Sequence, residues 1–305
     1  MTSVVGGGSV VNGMFADRGS KADYGAWGAL GNEGWGWDGL LPYFCKSTNF
    51  TPPSPGIAED FDIQWDPEAY GQGPLQIDFS SMLYPDLRVK MISRNDGIVR
   101  KAYASKEVVL AAGAISTPKL LQLSGIGTTI TLEEAGVKVK KEFAADSSNK
   151  RWLDSETTVS GHSYSRSRRP TEAACASLMN PVDRGLLLPM VRYIRDFNQD
   201  PLLAGYFPVE TVPGESAQTG GEIMGALLAT NGVRPTLAHP RSTCAMMPEE
   251  ICGCVSSDLL VYGTDKLSVV DASIMPLIPA THLQTTVYAV AEKASDIIKS
   301  RHLYA

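Results

Sequence analysis

Apolar residues along this chain change their period from one segment to the next, and the period names the element. In residues 284–300, Val287, Val290, Ala291, Ala294 and Ile297 recur at the three-to-four spacing of an amphipathic helix. Residues 106–112, KEVVLAA, form a β-rich apolar run that predicts a strand. Gly113 punctuates that run. Ser116, Thr117 and Pro118 then predict a helix start, with Thr117 as N-cap and Pro118 at the first helical position. Leu120, Leu121 and Leu123 lie on that helix, and Gly125 and Gly127 end it. A second apolar strand, LSVV at 267–270, stops at Asp271. Residues 21–50 mix periods around Trp27, Trp35 and Trp37 and predict short helices ending at Pro42, Tyr43 and Phe44, with a Pro-rich break at 51–54 and a strand at 75–79. Residues 141–236 are polar and broken by Pro and Gly, and give no clear period. Strand, tight turn and helix in succession predict an α/β (α+β) fold.

Composition narrows the function classes. With 43% hydrophobic and 20% charged residues the chain has an ordinary soluble composition, and its length suits one large domain or two ordinary ones. A net charge of −6 with no basic tract argues against nucleic acid or an anionic membrane surface as partner. Lys138, Lys140 and Lys141 read as a solvated strand or turn face. No run reaches the roughly 20 apolar residues of a membrane span, and the first residues lack the basic start and apolar stretch of a secretory signal. A cytoplasmic location is the resulting expectation. The five cysteines are an odd number, widely scattered, and do not read as a disulfide framework. Cys252 and Cys254 lack the second Cys or His pair that a metal site needs.

Four stretches carry candidate chemistry. The first is Gly-rich, GGGSVVNGM at 6–14, running on to Arg18, Gly19, Asp23 and Tyr24. The second is GAISTPKLLQLSGIG at 113–127, the third HPRSTCAMMP at 239–248, and the fourth VVDASIMPLIPATHLQTTVYAVAEK at 269–293. In this order they resemble the glucose-methanol-choline (GMC) oxidoreductases: two signature motifs, the catalytic-histidine motif, and the final strand, flavin-facing turn and helix. The third and fourth are closest to the glucose oxidase/aryl-alcohol oxidase branch. Any one motif alone is a weak signal; four in family order are a strong one.

The resemblance implies an FAD-dependent oxidoreductase acting on the CH–OH group of a small-molecule alcohol. Such a reaction needs a base for the hydroxyl proton and an acceptor for hydride, and no side chain accepts hydride. The family's histidine positions fall here on His239 and His282. Histidine suits the base role because its ordinary pKa lies near neutrality. The resemblance makes His239 the base and has His282 orient the substrate oxygen and stabilise its charge. His162 and His302 have no motif around them and read as structural. Cofactor contacts are expected from Gly7, Gly8, Ser9, Asn12, Gly13 and Met14 in the first stretch, where glycine lets backbone approach a planar ring. Asp271, Ala272 and Leu283 are expected to add contacts from the strand end and turn. Glu292 and Lys293 read as a solvated helix face.

The chain also departs from the family pattern. It is expected to lack the N-terminal βαβ unit whose G-x-G-x-x-G turn cradles the pyrophosphate, so FAD affinity is expected to be weakened. Gly34, Gly36 and Gly39 do spell G-x-G-x-x-G, but no apolar strand precedes them and two Trp interrupt them. Arg241 and Ser242 replace a small residue and Gly in the histidine motif. Arg241 there either blocks the flavin edge or holds an anionic substrate. The resemblance divides the chain into a cofactor-facing portion (1–50, 105–140 and 239–305) and a reduced substrate domain (51–104 and 141–238) built on antiparallel strands. A bared sheet edge would favour homo-oligomers. Two other readings stay open: a flavin-free acid-base enzyme (dehydratase, isomerase or cyclase) reusing the histidine pair, and a non-catalytic truncated remnant or binding partner of a full-length relative.

Overall fold

The computed structural model describes residues 6–60, 63–78, 104–142, 181–201, 209–230 and 239–303. The chain divides into two compact units, residues 1–144 with 240–305, and residues 145–239.

In the first unit, α1 (Lys21–Ala29) starts at a capping box: Ser20 accepts from the Asp23 amide while the Asp23 carboxylate accepts from the Ser20 amide. α2 (Trp37–Ser47) runs through Pro42, so the helix extends past the end predicted at Pro42–Phe44. Short parallel ladders follow. β1 (Thr48–Thr51) pairs with β2 (Leu75–Asp78), β3 (Val108–Leu110) with β6 (Leu267–Val269), and β4 (Ile126–Gly127) with β5 (Lys141–Glu142). Within 51–104 the described ladder is parallel, and an isolated antiparallel bridge joins Asn49 to Gln72. Antiparallel pairing among the described residues occurs as isolated bridges such as Leu260 with Ser268. α3 (Pro55–Asp60), α4 (Gly113–Leu123) and α5 (Thr129–Glu134) connect these strands. The final helix, here α8 (Gln284–Leu303), begins at the residue the periodicity predicts and runs three residues further.

One apolar cluster organises this unit. Tyr24, Trp27, Trp35, Leu40 and Phe44 from α1, α2 and the turn between them meet Ala289, Val290 and Ala294 of α8, with Val269, Ile274, Met275 and Leu283 closing the far side. Polar tips inside it are bonded: Tyr24 Oη lies 2.8 Å from Thr286 Oγ1, and Trp27 Nε1 donates to the Leu277 carbonyl at 3.0 Å. Lys293 is not the solvated residue its position suggested. Its ammonium lies over the Trp35 and Tyr43 rings at 5.0 and 5.2 Å and donates to the Gly34 and Gly39 carbonyls. Glu292 pairs with Lys46, and Lys141 pairs with Glu249.

The start of α4 differs from the predicted one in an informative way. The helix begins at Gly113, five residues before the predicted first position at Pro118, and Thr117 lies inside it. Its preceding residue, Ala112, has no capping side chain. The cap comes instead from Asp271 at the end of β6, whose Oδ2 accepts from the Gly113 amide at 2.9 Å and from Thr117 Oγ1 at 2.6 Å. Pro118 therefore sits mid-helix and cannot donate to the Ala114 carbonyl four residues back. Thr243 Oγ1 donates to that carbonyl in its place.

In the second unit, α6 (Pro181–Asn198) packs against α7 (Gly220–Ala229) through Leu187, Leu188 and Val191 on one helix and Ile223 and Leu227 on the other. A bidentate Arg195–Glu210 pair, both contacts at 2.7 Å, steadies the approach to α7, which opens with a Thr219–Glu222 capping box. His162 lies outside the described residues.

Candidate active site

The first Gly-rich stretch folds as a loop. Gly7–Ser9 form one 3-10 turn entered from Gly6 in the left-handed region, at φ 91°. Asn12 then staples the loop from within: its Nδ2 donates to the Gly8 and Ser9 carbonyls, and its Oδ1 accepts from the Met14 amide at 2.6 Å. Asn12 therefore acts on its own backbone. Space around Gly7 and Gly8 is open enough that a Cβ would touch nothing within 4 Å. Val10, Met14 and Phe15 project into solvent, Met14 at 78% exposure. Such apolar exposure on an ordered loop marks a surface built to be covered.

Where that loop reaches the N-terminal end of α8, it meets His282. The imidazole Nδ1 lies 2.9 Å from Asp17 Oδ2. Phe15 stacks on the same ring at 4.4 Å between centroids and 6° between planes. The Asp17 carbonyl accepts from Thr285 Oγ1, which anchors the loop to the first turn of α8. Burial raises the Asp17 carboxyl, but hydrogen bonding and charge attraction with His282 outweigh it and hold the group below its ordinary value. The order of motifs pointed to His282, yet Asp17 and Phe15 carried no motif. Both residues lie just past the Gly-rich stretch, and no sequence signal singled them out.

The histidine motif lies along the turn after β6. Amides of Ser242, Cys244 and Met246 donate to the carbonyls of Ala272, Ser273 and Ile274. Asp271 is buried, and its second oxygen accepts from the Ser273 amide at 2.8 Å. The carboxylate thus spends its acceptors on the turn and on α4. Leu283 likewise turns its side chain into the core. Any contact these two residues and Ala272 make with a cofactor would come from the backbone they hold in place. Arg241 is buried at 8% exposure, which pulls its guanidinium down to about 10. Cys244 and Cys254 form a disulfide, with 5.0 Å between their Cα atoms. This corrects the sequence expectation: five scattered cysteines conceal one bonded pair. His239 is half-buried and ends the second unit, whereas His282 belongs to the first.

His302 and the Gly34 turn have structural explanations. His302 Nε2 lies 2.8 Å from the buried Glu107 carboxylate, beside Arg301. In the G-x-G-x-x-G stretch, a Cβ on Gly39 would strike the Gly34 carbonyl oxygen. The glycines serve close packing of that turn, whose carbonyls Lys293 occupies, rather than a phosphate.

Residues 1–83 and 87–139 match the N-terminal part of the GMC oxidoreductases and 154–291 the C-terminal part. The chain belongs to the GMC oxidoreductase family. That family generally carries out FAD-dependent alcohol oxidation. The dehydrogenase xptC of Emericella nidulans is 23% identical over 505 aligned positions, covering 98% of this chain and 81% of the relative. Because this GMC chain has only 305 residues, the relative carries long segments opposite gaps in it. The glucose oxidase-like protein fsoC of Humicola fuscoatra is 48% identical over a shorter stretch of 62 residues, 20% of this chain and 11% of that protein. Among solved structures, an FAD-dependent oxidoreductase from Chaetomium thermophilum superposes with a TM-score of 0.79 at 22% identity, covering 97% of this chain and 86% of that one. A fungal aryl-alcohol oxidase gives 0.78 at 22% identity, covering 98% and 86%. These likenesses establish the GMC fold. Among the described residues no helix is long and apolar enough to cross a membrane.

Proposed function

We propose that this GMC protein oxidises the CH–OH group of a small alcohol; the motif order names His239 as the base for the hydroxyl proton and His282 as the group that orients the oxygen. The observation that carries the reading is the ordered, solvent-facing apolar loop of Val10, Met14 and Phe15 ending on the His282–Asp17 pair. An apolar platform beside a hydrogen-bonded imidazole suits a planar aromatic ring with a reacting hydroxyl at its edge. Gly7, Gly8, Ser9, Gly13 and Met14 would lie against the ring, with Asn12 holding the loop's shape and Asp271, Ala272 and Leu283 setting the turn opposite. When bound, FAD supplies the hydride acceptor. The segments 1–50, 105–140 and 239–305 form the cofactor-facing portion on this reading, and 51–104 with 141–238 the substrate side.

The donor set fits the ring end of FAD better than its phosphate end. The described residues offer the open glycine turn and apolar ridge for the ring. Their G-x-G-x-x-G turn is packed shut by Lys293.

The test is a visible absorption titration of the full chain with FAD, followed by anaerobic addition of an alcohol panel. A bound flavin spectrum that bleaches with an alcohol, and ceases to bleach in His239→Ala or His282→Ala, supports the reading. A protein that takes up no flavin at tens of micromolar FAD sinks it. The flavin-free acid-base reading would then be tested on the same histidine variants.

A further inference from the structure

We propose that the outer edge of β3 is a self-association surface, on which β3 of a second copy of this chain pairs antiparallel about a two-fold axis at Val109. This inference goes beyond the oxidation reading and does not rest on it.

Successive residues of a strand point their N–H and C=O groups to opposite edges. Val108 and Leu110 point theirs at β6: the Val108 amide donates to the Lys266 carbonyl at 2.9 Å, and the Leu110 carbonyl accepts from the Val270 amide at 2.8 Å. Val109, between them, therefore directs both of its groups away from β6. Among the described residues nothing bonds to either group. The far side of β6 is closed, because the Val269 amide donates to the Leu259 carbonyl at 3.1 Å and the Val261 amide to the Leu267 carbonyl at 2.9 Å. The open edge of this ladder is thus β3. Val108 and Val109 lie on opposite faces of the strand and are 47% and 43% exposed, so neither face is sealed beside that edge. Edge strands are commonly blunted by proline, by charge or by a covering element. Residues 107–111, EVVLA, hold no proline. Their one carboxylate, Glu107, is turned into its own chain by Arg301 and His302.

A second copy fits this edge because the edge is complementary to itself. About a two-fold axis at Val109, each Val109 amide meets the Val109 carbonyl of the other copy. The period of two gives Glu107 and Ala111 the same orientation, so Glu107 of one copy faces Ala111 of the other and the two exchange a pair of bonds. Val108 lies beside Leu110 of the second copy, apolar against apolar. Lys106, exposed, falls opposite Ala112, so no like charges oppose each other. The pairing ends there, where the Ala112 amide donates to Thr117 Oγ1 and the chain turns into α4. Such an isologous contact closes at two copies. It buries far less than the about 1,200–2,000 Å² of a stable interface. Association should therefore be reversible and set by concentration, in about the micromolar range.

Sedimentation velocity of the full chain, without FAD, over about 1–200 µM tests this. The expected result is a shift from one chain to two as concentration rises. Val109→Pro removes the central outward donor and leaves the bonds to β6, since proline is tolerated in an edge strand whose N–H would face outward. It should weaken association by about tenfold or more. Val109→Lys sets two ammonium groups against each other at the axis and should have a similar effect, which covers the case in which the proline variant fails to fold. Far-UV circular dichroism matching the wild type identifies the folded variants. A chain that stays single throughout the range overturns the proposal. So does a dimer that folded Val109→Lys leaves at wild-type strength, which would move the contact elsewhere, such as to the exposed Leu186, Met190, Tyr193 and Phe197 of α6. Flavin uptake is scored separately, so failure of the oxidation reading and failure of the pairing are distinguishable.

Discussion

At the scale of single residues, the structure shows how much work is done by carboxylates far from their partners in sequence. Asp271 accepts from the Gly113 amide, Thr117 Oγ1 and the Ser273 amide. Asp271→Ala removes all three acceptors at a buried site and should cost about 3 kcal/mol or more. Chemical denaturation should show a lower midpoint with an unchanged slope. Asp271→Asn keeps the shape and should recover part of the loss. The same residue explains why the start of α4 was not legible. Thr117 and Pro118 are good capping residues locally, but the actual cap comes from a strand end 154 residues away. Asp17 was hidden for a related reason. Its meaning comes from His282, 265 residues on, and nothing in its own neighbourhood announces it. His282 itself was legible because a family motif surrounds it.

At the scale of elements, the helix with a clean period was read almost to the residue. Val287, Val290 and Ala294 of α8 pack inward as their spacing requires. Lys293, on the same helix, defeated the simple polar-outside rule because its long stem lets the charge reach two carbonyls and two aromatic faces. The ladders were less legible. Residues 75–78 were expected as a strand, but parallel pairing with Thr48–Thr51 depends on a crossover that no local signal specifies. The segment after the histidine motif is closed by the Cys244–Cys254 bond, ten residues apart. A cross-link of that span contributes about 2–4 kcal/mol. Cys254→Ser should therefore lower the unfolding midpoint under non-reducing conditions, and a reducing agent should lower the wild type to a similar value while leaving the variant unaffected. Two cysteines ten apart are not a sequence signature; the backbone bonds from Cys244 to Ser273 and from Cys254 to Ala245 create their proximity.

At the scale of the whole molecule, the end of α8 is tied back to β3. Arg301 and His302 both bond the Glu107 carboxylate, and Arg301 also reaches Ser268 Oγ and the Asp258 carbonyl. Burial raises the Glu107 carboxyl, yet the bonds to Arg301 and His302 hold it below its ordinary value. A group depressed in the folded state contributes stability above its unfolded pKa, and that contribution is lost as pH falls through the folded value. This contribution should therefore be lost as the pH falls below the ordinary carboxylate range. Glu107→Gln should be less stable than wild type at neutral pH and show a flatter decline in acid, as thermal unfolding across pH would reveal. Glu107 and His302 were not paired by the sequence; the ends of a strand and a helix bring them together.

Pro118 and Thr243 have a joint history written into one carbonyl. The proline withholds a hydrogen bond from Ala114, and the threonine, 129 residues from that carbonyl, provides one. Neither residue's value can be defined without the other. Thr243→Val alone should be destabilising by about 1–3 kcal/mol, because a buried acceptor loses its donor. In a Pro118→Ala background the helix regains its own amide and the same substitution should be nearly silent. A thermodynamic cycle over the four proteins would measure that epistasis directly. It also implies an order of substitution: a lineage could acquire proline at 118 cheaply only after threonine was already in place at 243, and could not afterwards let the threonine go.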